Sequence, residues 1–410
     1  MPNTPYDLED RIFWTAKETE IKRAETTDIY YEYAVQALKE DNFNPRVIME
    51  VYTRNIPYED NWGVVAGIYE ATKLLEGLPV NVNAMEEGEV FLTNRDSPVY
   101  EPVMQVEANY QDIAVYENPL LGLICTASSV ATKAARIKKI AGVRDVISFG
   151  SRRVHPSITP TIERAAYIGG CDGVSNVLAA RMMKKVAVGT MPHALVLCYG
   201  DQKLAWKAFD KAVDPHVPRI LLVDTLSDEK TESIMAYETL GKKLTAVRLD
   251  TPASRRGDIR KIVEEVRWEL GVIGASNVKI FVSGGLDEAE VEELKDVVDG
   301  FGVGTHLSTP PTIDFNMKIV EVFSDGNMTP RAKRGDLAGK KQVYRDSEKL
   351  EDVVTLAARG YDGKTTLLKP IIENGKIVRK FKSLDEIRSD VMEKMEKIRR
   401  RKPQLKWLTS

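Results

Sequence analysis

Between residues 218 and 305 the chain alternates two patterns: short apolar runs rich in β-branched residues, and longer stretches in which apolar residues recur every three or four positions. The runs at 220–223, 244–249, 278–282 and 301–303 predict strands, and the stretches at 228–240, 258–270 and 287–298 predict helices. The runs are mostly apolar, Thr245, Arg248 and Lys279 excepted, as expected of strands buried on both faces in a parallel sheet covered by helices. A strand–helix repeat of about thirty residues suits an α/β barrel or a doubly wound sheet, of which the barrel is preferred. Polar residues and glycines collect where the strands end: Asp224-Thr225, Asp250-Thr251, Ser283-Gly284-Gly285 and Gly302-Val303-Gly304-Thr305. That end of a barrel is where active sites are built.

Upstream, residues 46–110 predict a smaller α+β region, with strands at 47–51, 89–92 and 103–106 and one helix at 62–76. A helix at 111–141 leads into the barrel. From Lys333 the chain predicts strands and a final helix at 384–401, expected to pack back against the N-terminal region. The expected domains are thus 1–115, 116–325 and 326–410.

Composition narrows the class. The 410 residues suffice for two or three domains, and 58 Lys and Arg against 61 Asp and Glu leave a net charge of −3. With 43% apolar and 29% charged residues, disorder and a polyanion-coating role are excluded. Cys125, Cys171 and Cys198 lie far apart and form no Cys-x-x-Cys pair, which signals neither disulfides nor a cysteine zinc site and fits a reducing, cytoplasmic setting. The acidic N-terminus lacks an apolar signal core, and the apolar stretch at 120–131 is too short to span a bilayer, so no membrane role is expected. The basic residues 399–402 follow acidic ones and read as a solvated helix end, with no nucleic-acid partner expected. Asp362-Gly-Lys-Thr-Thr lacks the first glycine of a P-loop and reads as a turn.

Four constellations carry candidate chemistry. Arg152 and Arg153 follow Ser148-Phe149-Gly150; their forks suit an anion, or they open a helix at the surface. His193 follows Gly189-Thr190-Met191-Pro192, and an isolated histidine is more often structural than reactive. Asp224 and Asp250 end successive strands, where carboxylates bind Mg, hold ribose hydroxyls or stabilise a developing cation, or else cap helices, the role expected of Asp228 and Asp258. Gly284, Gly285, Gly302 and Gly304 supply bare amides for a phosphate, or only tight turns.

The order and wording of eight segments resemble the nicotinate phosphoribosyltransferase family in its archaeal-like branch, from about Thr26 to Arg345. They are the segment from Thr26 to Tyr31, Ser148-Phe-Gly-Ser-Arg-Arg-Val-His-Pro, Gly169-Gly-Cys-Asp-Gly-Val-Ser-Asn, Gly189-Thr-Met-Pro-His, Arg248-Leu-Asp-Thr-Pro-Ala-Ser-Arg-Arg-Gly, Val282-Ser-Gly-Gly-Leu-Asp, Gly300-Phe-Gly-Val-Gly-Thr and Lys333-Arg-Gly. The resemblance implies an N-terminal α/β sandwich, completed by the C-terminal segment, beside an incomplete, TIM-like α/β barrel. It implies a homodimer with sites across the interface, and Mg-dependent synthesis of nicotinate mononucleotide and pyrophosphate from nicotinate and 5-phosphoribosyl 1-diphosphate, a salvage route to NAD. ATP enters as a co-substrate. By position, Phe149 would stack on the pyridine, with Tyr30 of the partner subunit closing the other face. Arg152 would meet the carboxylate or the phosphates, and Arg248 the 5′-phosphate or diphosphate. Thr190 would touch substrate, and the four glycines would bind phosphate. Asp224 and Asp250 would hold Mg and the ribose, and His193 would be phosphorylated by ATP.

Two departures stand out. Where relatives carry a cysteine-rich zinc knuckle this chain reads Asp346-Ser-Glu-Lys, so no structural zinc is expected, and His306 stands where small residues are usual and is expected to face solvent. Nicotinamide stays open through Asp172, which resembles an amide acceptor. Quinolinate would need further cations for its second carboxylate. A silent pyridine-binding paralogue would not need to keep Asp224, His193, Arg248 and Asp250, and a barrel aldolase or isomerase would need a Schiff-base Lys or a proton-transfer pair at a strand end.

Overall fold

A computed structural model describes residues 11–255 and 257–408, so Arg256, the second arginine of the segment after Asp250, lies outside the described residues. Its contacts form two units. One comprises residues up to Thr126, Ile313–Phe381 and the stretch from Pro403; the other comprises Ala127–Thr312 and Lys382–Lys402. The divisions fall at 126/127 and 312/313, and the final helix Leu384–Arg400 groups with the parallel-sheet unit while the strands before it group with the N-terminal residues.

In the first unit a seven-stranded antiparallel sheet is woven from both ends of the chain. Arg46–Thr53 pairs with Pro102–Asn109 on one side and with Phe315–Ser324 on the other, and Lys369–Glu373 joins the edge of Asn81–Ala84. All but the first residue of Arg46–Thr53 are buried, so its two faces both meet core. One of those positions is Glu50, whose carboxylate accepts from the Lys341 amide at 2.8 Å and ammonium at 2.9 Å and from Gln105 at 2.8 Å, which satisfies an otherwise costly buried charge.

The expected helix at 62–76 is shorter than its apolar spacing suggests. Trp62–Val64 is a strand paired with Val90–Leu92, and the helix covers only Ile68–Leu75. Gly67 sets the start: its φ of +87° is open to glycine and strained for other residues. Gly63 keeps Trp62–Val64 against the sheet partner, since a Cβ there would meet the Phe91 ring at 2.4 Å.

The second unit is a curled, wholly parallel six-stranded sheet in the order Gly173–Val174, Asp145–Ser148, Gly300–Val303, Lys279–Ser283, Leu244–Leu249, Arg219–Leu222. Helices cover it. Asp228 and Asp258 cap Glu229–Leu240 and Ile259–Val272 by accepting from Thr231 and Lys261, so the capping role holds for both. The helix Glu117–Ala141 follows a short turn from Tyr110, and Tyr110–Ala141 is long and apolar enough to cross a membrane by length and composition, more so than the 120–131 stretch alone suggested. Its most apolar stretch is mostly buried within the protein, as in a core helix. Cys171 is buried, Cys198 is exposed, and the partly buried Cys125 accepts from the Phe315 amide through its sulfur at 3.4 Å.

Candidate active site

Parallel strands bring their C-terminal ends to one side of the sheet, and there five of the six loops deliver the expected side chains. Asp224 follows Arg219–Leu222 and is 2% exposed. Its Oδ2 accepts from the Asp250 amide at 2.5 Å and the Thr251 hydroxyl at 3.0 Å, and its Oδ1 accepts from His193 Nε2 at 2.9 Å. A carboxylate only accepts, so Nε2 carries the proton, and in the neutral imidazole the lone pair is left at Nδ1. The Asp224 hydrogen bond raises His193 above the ordinary imidazole value, against the effect of burial and of Arg248.

Asp250 continues the chain of contacts. Its Oδ1 accepts from Ser283 Oγ at 2.6 Å and its Oδ2 from Arg248 at 3.1 Å. Arg248 also donates from Nε to Ser283 Oγ at 2.9 Å and from Nη1 to Thr190 Oγ1 at 2.6 Å. Three of its five N–H groups are thereby used, and two remain for an anion. Its guanidinium carbon lies 5.0 Å from the centroid of the Phe149 ring, a cation–π distance. Phe149 can lie flat on the sheet because residue 302 is glycine: a Cβ there would come within 2.4 Å of the ring.

The loop after Lys279–Ser283 turns through two left-handed residues, Gly284 at φ +91° and Gly285 at φ +71°. Among the described residues no acceptor is bonded to either amide. A Cβ on Gly284 would sit 3.1 Å from Asp250 Oδ1, whereas nothing lies within 4 Å of one on Gly285, so the loop begins against the carboxylate and opens outward. Gly304 leaves the neighbouring strand beside it, Ser283 being in register with Gly302.

The structure therefore brings together Phe149, Thr190, His193, Asp224, Arg248, Asp250, Gly284 and Gly302, with Gly285 and Gly304 at the rim. Arg152 and Arg153 form a short 3-10 turn directly after Gly150 and are exposed. His155 is local, its Nδ1 accepting from the Ser157 amide. Tyr30 belongs to the first unit, where it is 55% exposed and its ring lies 4.2 Å from that of Tyr31.

Asp172 is not part of the cluster. It precedes Gly173–Val174, so it stands at the opposite end of the strands, and its carboxylate accepts from the Val146 amide at 2.8 Å and pairs with Lys138 and Arg388 at 2.6 Å each. Two cations and an amide leave it no role as an acceptor for a pyridine amide.

Sequence reasoning missed the groups that hold this site from behind. Ser283 joins Arg248 to Asp250. Glu232, fully buried, accepts the amides of Thr225, Leu226 and Ser227 at 3.2, 2.8 and 2.7 Å and so fixes the loop that carries Asp224. Burial raises its carboxyl. A Ser-Gly-Gly turn could have flagged Ser283, but a glutamate in a helix carries no such signal.

Among the described residues no three His, Cys, Asp or Glu side chains are grouped to hold a metal. Both oxygens of Asp224 and both of Asp250 accept from protein donors, but the Asp250 side chain is 21% exposed and can also reach a hydrated magnesium. Such a pair suits a magnesium that keeps waters and arrives with substrate phosphates, which needs only one or two carboxylates.

Two family descriptions match the chain: the N-terminal domain of quinolinate phosphoribosyl transferase over residues 28–128 and its C-terminal domain over 130–318. Nicotinate phosphoribosyltransferase pncB1 of Mycobacterium tuberculosis is 30% identical over 76% of this chain and 75% of its own. Among solved structures, nicotinate-nucleotide pyrophosphorylase from Pyrococcus furiosus is 52% identical, with a TM-score of 0.90 over 94% of this chain and 98% of that one. Human nicotinic acid phosphoribosyltransferase, 21% identical, shares the fold with a TM-score of 0.76 over 94% and 97% of the two chains.

Proposed function

The chain belongs to the nicotinate phosphoribosyltransferase family, and on that premise we propose that the strand-end cluster joins nicotinate to 5-phosphoribosyl 1-diphosphate, yielding nicotinate mononucleotide and pyrophosphate on a route to NAD. One observation carries the reading: a partly buried chain of contacts joins Asp224, Asp250 and Arg248, with the Phe149 ring against Arg248 and two unbonded glycine amides beside Asp250.

In this reading Phe149 supports the pyridine ring and Arg248 directs its two remaining N–H groups at the diphosphate. The pyridine nitrogen forms a bond to the anomeric carbon as the bond from that carbon to the diphosphate oxygen breaks, and the electron pair leaves with pyrophosphate. Positive charge develops on the ribose ring meanwhile, and the Asp250 carboxylate, held in place by Ser283 and Arg248, lies where it lowers the energy of that charge. Asp250, with Asp224 behind it, would hold magnesium through water, and magnesium when bound neutralises the leaving diphosphate. The amides of Gly284, Gly285 and Gly304 suit the 5′-phosphate, and Arg152 the nicotinate carboxylate.

ATP coupling through His193 is part of the proposal. With Nε2 donating to Asp224, the nitrogen left to accept a phosphoryl group is Nδ1, which lies 4.0 Å from Asp250 Oδ2. A homodimer, in which Tyr30 of the partner subunit faces Phe149, draws support from the exposure of Tyr30. Three cysteines that lie far apart in the sequence, with no Cys-x-x-Cys pair, suit the cytoplasm.

The test is pyrophosphate release from 5-phosphoribosyl 1-diphosphate and magnesium with nicotinate, nicotinamide or quinolinate, each with and without ATP. Turnover is expected with nicotinate alone, stimulated by ATP. Asp250→Ala should lose most of it, and His193→Ala should lose the ATP effect while keeping basal synthesis. Silence with nicotinate, or a preference for either rival base, overturns the reading.

A further inference from the structure

His306 faces solvent, as expected, and it does so at the mouth of the glycine loops. Its side chain is 48% exposed, and its Nδ1 lies 3.5 Å from Asp287 Oδ2. Asp287 ends the turn that begins at Gly284 and caps the helix Glu288–Leu294 by accepting from the Glu288 amide at 2.7 Å, so its position is set by the loop itself. His306 stands in the short helix Thr305–Ser308, two residues after Gly304. It therefore faces the turn of Gly284 and Gly285 from the neighbouring strand end, and at Gly285 that turn is open, with nothing within 4 Å of an added Cβ.

The charges nearby show what His306 adds. Behind the loop, Lys133 pairs with Asp287 and Glu288, and Arg136 pairs with Glu288 at 2.9 Å. Glu290 adds a third carboxylate, which accepts from the Asp287 amide at 2.8 Å. His306 approaches this turn from the side of Gly304, where its imidazole can offer an N–H group to an anion. An ion pair at this distance and exposure adds little to stability. Its effect falls instead on an anion arriving at the unbonded amides of Gly284 and Gly285.

We infer that His306 binds the 5′-phosphate of 5-phosphoribosyl 1-diphosphate, with Asp287 holding its Nδ1 and its Nε2 turned to the phosphate. This rests on the reaction proposed above. The opposite, diphosphate end of the substrate falls to Arg248, so His306 should matter to one end only.

Ribose 5-phosphate and pyrophosphate, each as an inhibitor of the full chain, separate the two ends. His306→Ala should raise the KM for 5-phosphoribosyl 1-diphosphate and the inhibition constant of ribose 5-phosphate about tenfold, the loss of one charge-assisted hydrogen bond. The KM for nicotinate and the inhibition by pyrophosphate should change less than about twofold, and His306→Lys should restore most of the loss where His306→Asn does not. An unchanged ribose 5-phosphate constant, or an equal weakening of pyrophosphate, overturns the assignment. Should the wild-type chain turn over none of the three pyridines, the reaction itself is wrong; calorimetric binding of ribose 5-phosphate to wild type and His306→Ala then decides the phosphate contact, equal affinities refuting it.

Discussion

Glu163 offers the sharpest test of how this unit is built. It lies on the helix Thr159–Ile168 with no accessible surface, and neither carboxyl oxygen has a hydrogen-bond partner among the described residues. The hydroxyl of Ser148, the residue before Phe149, is equally buried and unbonded, and its proximity only partly offsets the effect of burial. Burial pushes the carboxyl from 4.5 up to about 7. The folded form thus binds the proton more tightly than the unfolded chain does. The stability it contributes is fully present below pH 4.5 and is lost as pH rises through about 7. That displacement corresponds to about 3.4 kcal/mol once the folded group has ionised. About 0.8 kcal/mol of it is already lost at pH 5, so about 2.5 kcal/mol should disappear between pH 5 and pH 8.5. Glu163→Gln keeps the shape and removes the titration. The difference in thermal midpoint between variant and wild type should therefore move in favour of the variant by about 5–10 °C from pH 5 to pH 8.5, at roughly 2–4 °C per kcal/mol for a unit of this size. Groups common to both proteins cancel in that difference. If the two midpoints run parallel across the range, the carboxyl is not held neutral by burial.

Two further substitutions probe the site. Gly302→Ala puts a methyl group within 2.4 Å of the Phe149 ring and must displace it; the KM for nicotinate should rise about tenfold and stability fall by about 1–3 kcal/mol, read by steady-state kinetics and urea unfolding. Asp172→Asn leaves Lys138 and Arg388 without their shared carboxylate and should lower stability by about 1–2 kcal/mol, while the ratio of kcat/KM for nicotinate over nicotinamide stays the same; a changed ratio would return Asp172 to the base.

What the sequence made legible follows from which signals are local. The four strands at 220–303 announce themselves because burial on both faces demands consecutive apolar residues, and the first polar residue after such a run marks the strand end; Asp224 and Asp250 were readable for that reason. Gly173–Val174 has only two residues and no pattern to carry it. Trp62 shows the converse, since apolar residues spaced like a helix also serve a short strand when a glycine follows and a partner, here Val90–Leu92, lies elsewhere in the chain.

Charged residues are harder because their meaning lies in the partner. Asp172 reads like a substrate acceptor beside two glycines, yet its cations come from residues 34 and 216 positions away. Glu232 and Glu163 sit in helices where a glutamate ordinarily marks the solvated face. One is instead buried against three loop amides, and the other is buried beside the Ser148 hydroxyl, which only partly offsets the effect of burial. Both stand behind strand ends, Glu232 under the loop of Asp224 and Glu163 beside Ser148, which immediately precedes Phe149. The residues that would touch substrate were thus readable from strand-end position, whereas the residues that fix their geometry became visible only once the chain had folded. The stability that the wild type loses as pH rises through about 7, and that Glu163→Gln does not lose at this position, is the measurable consequence of that second layer.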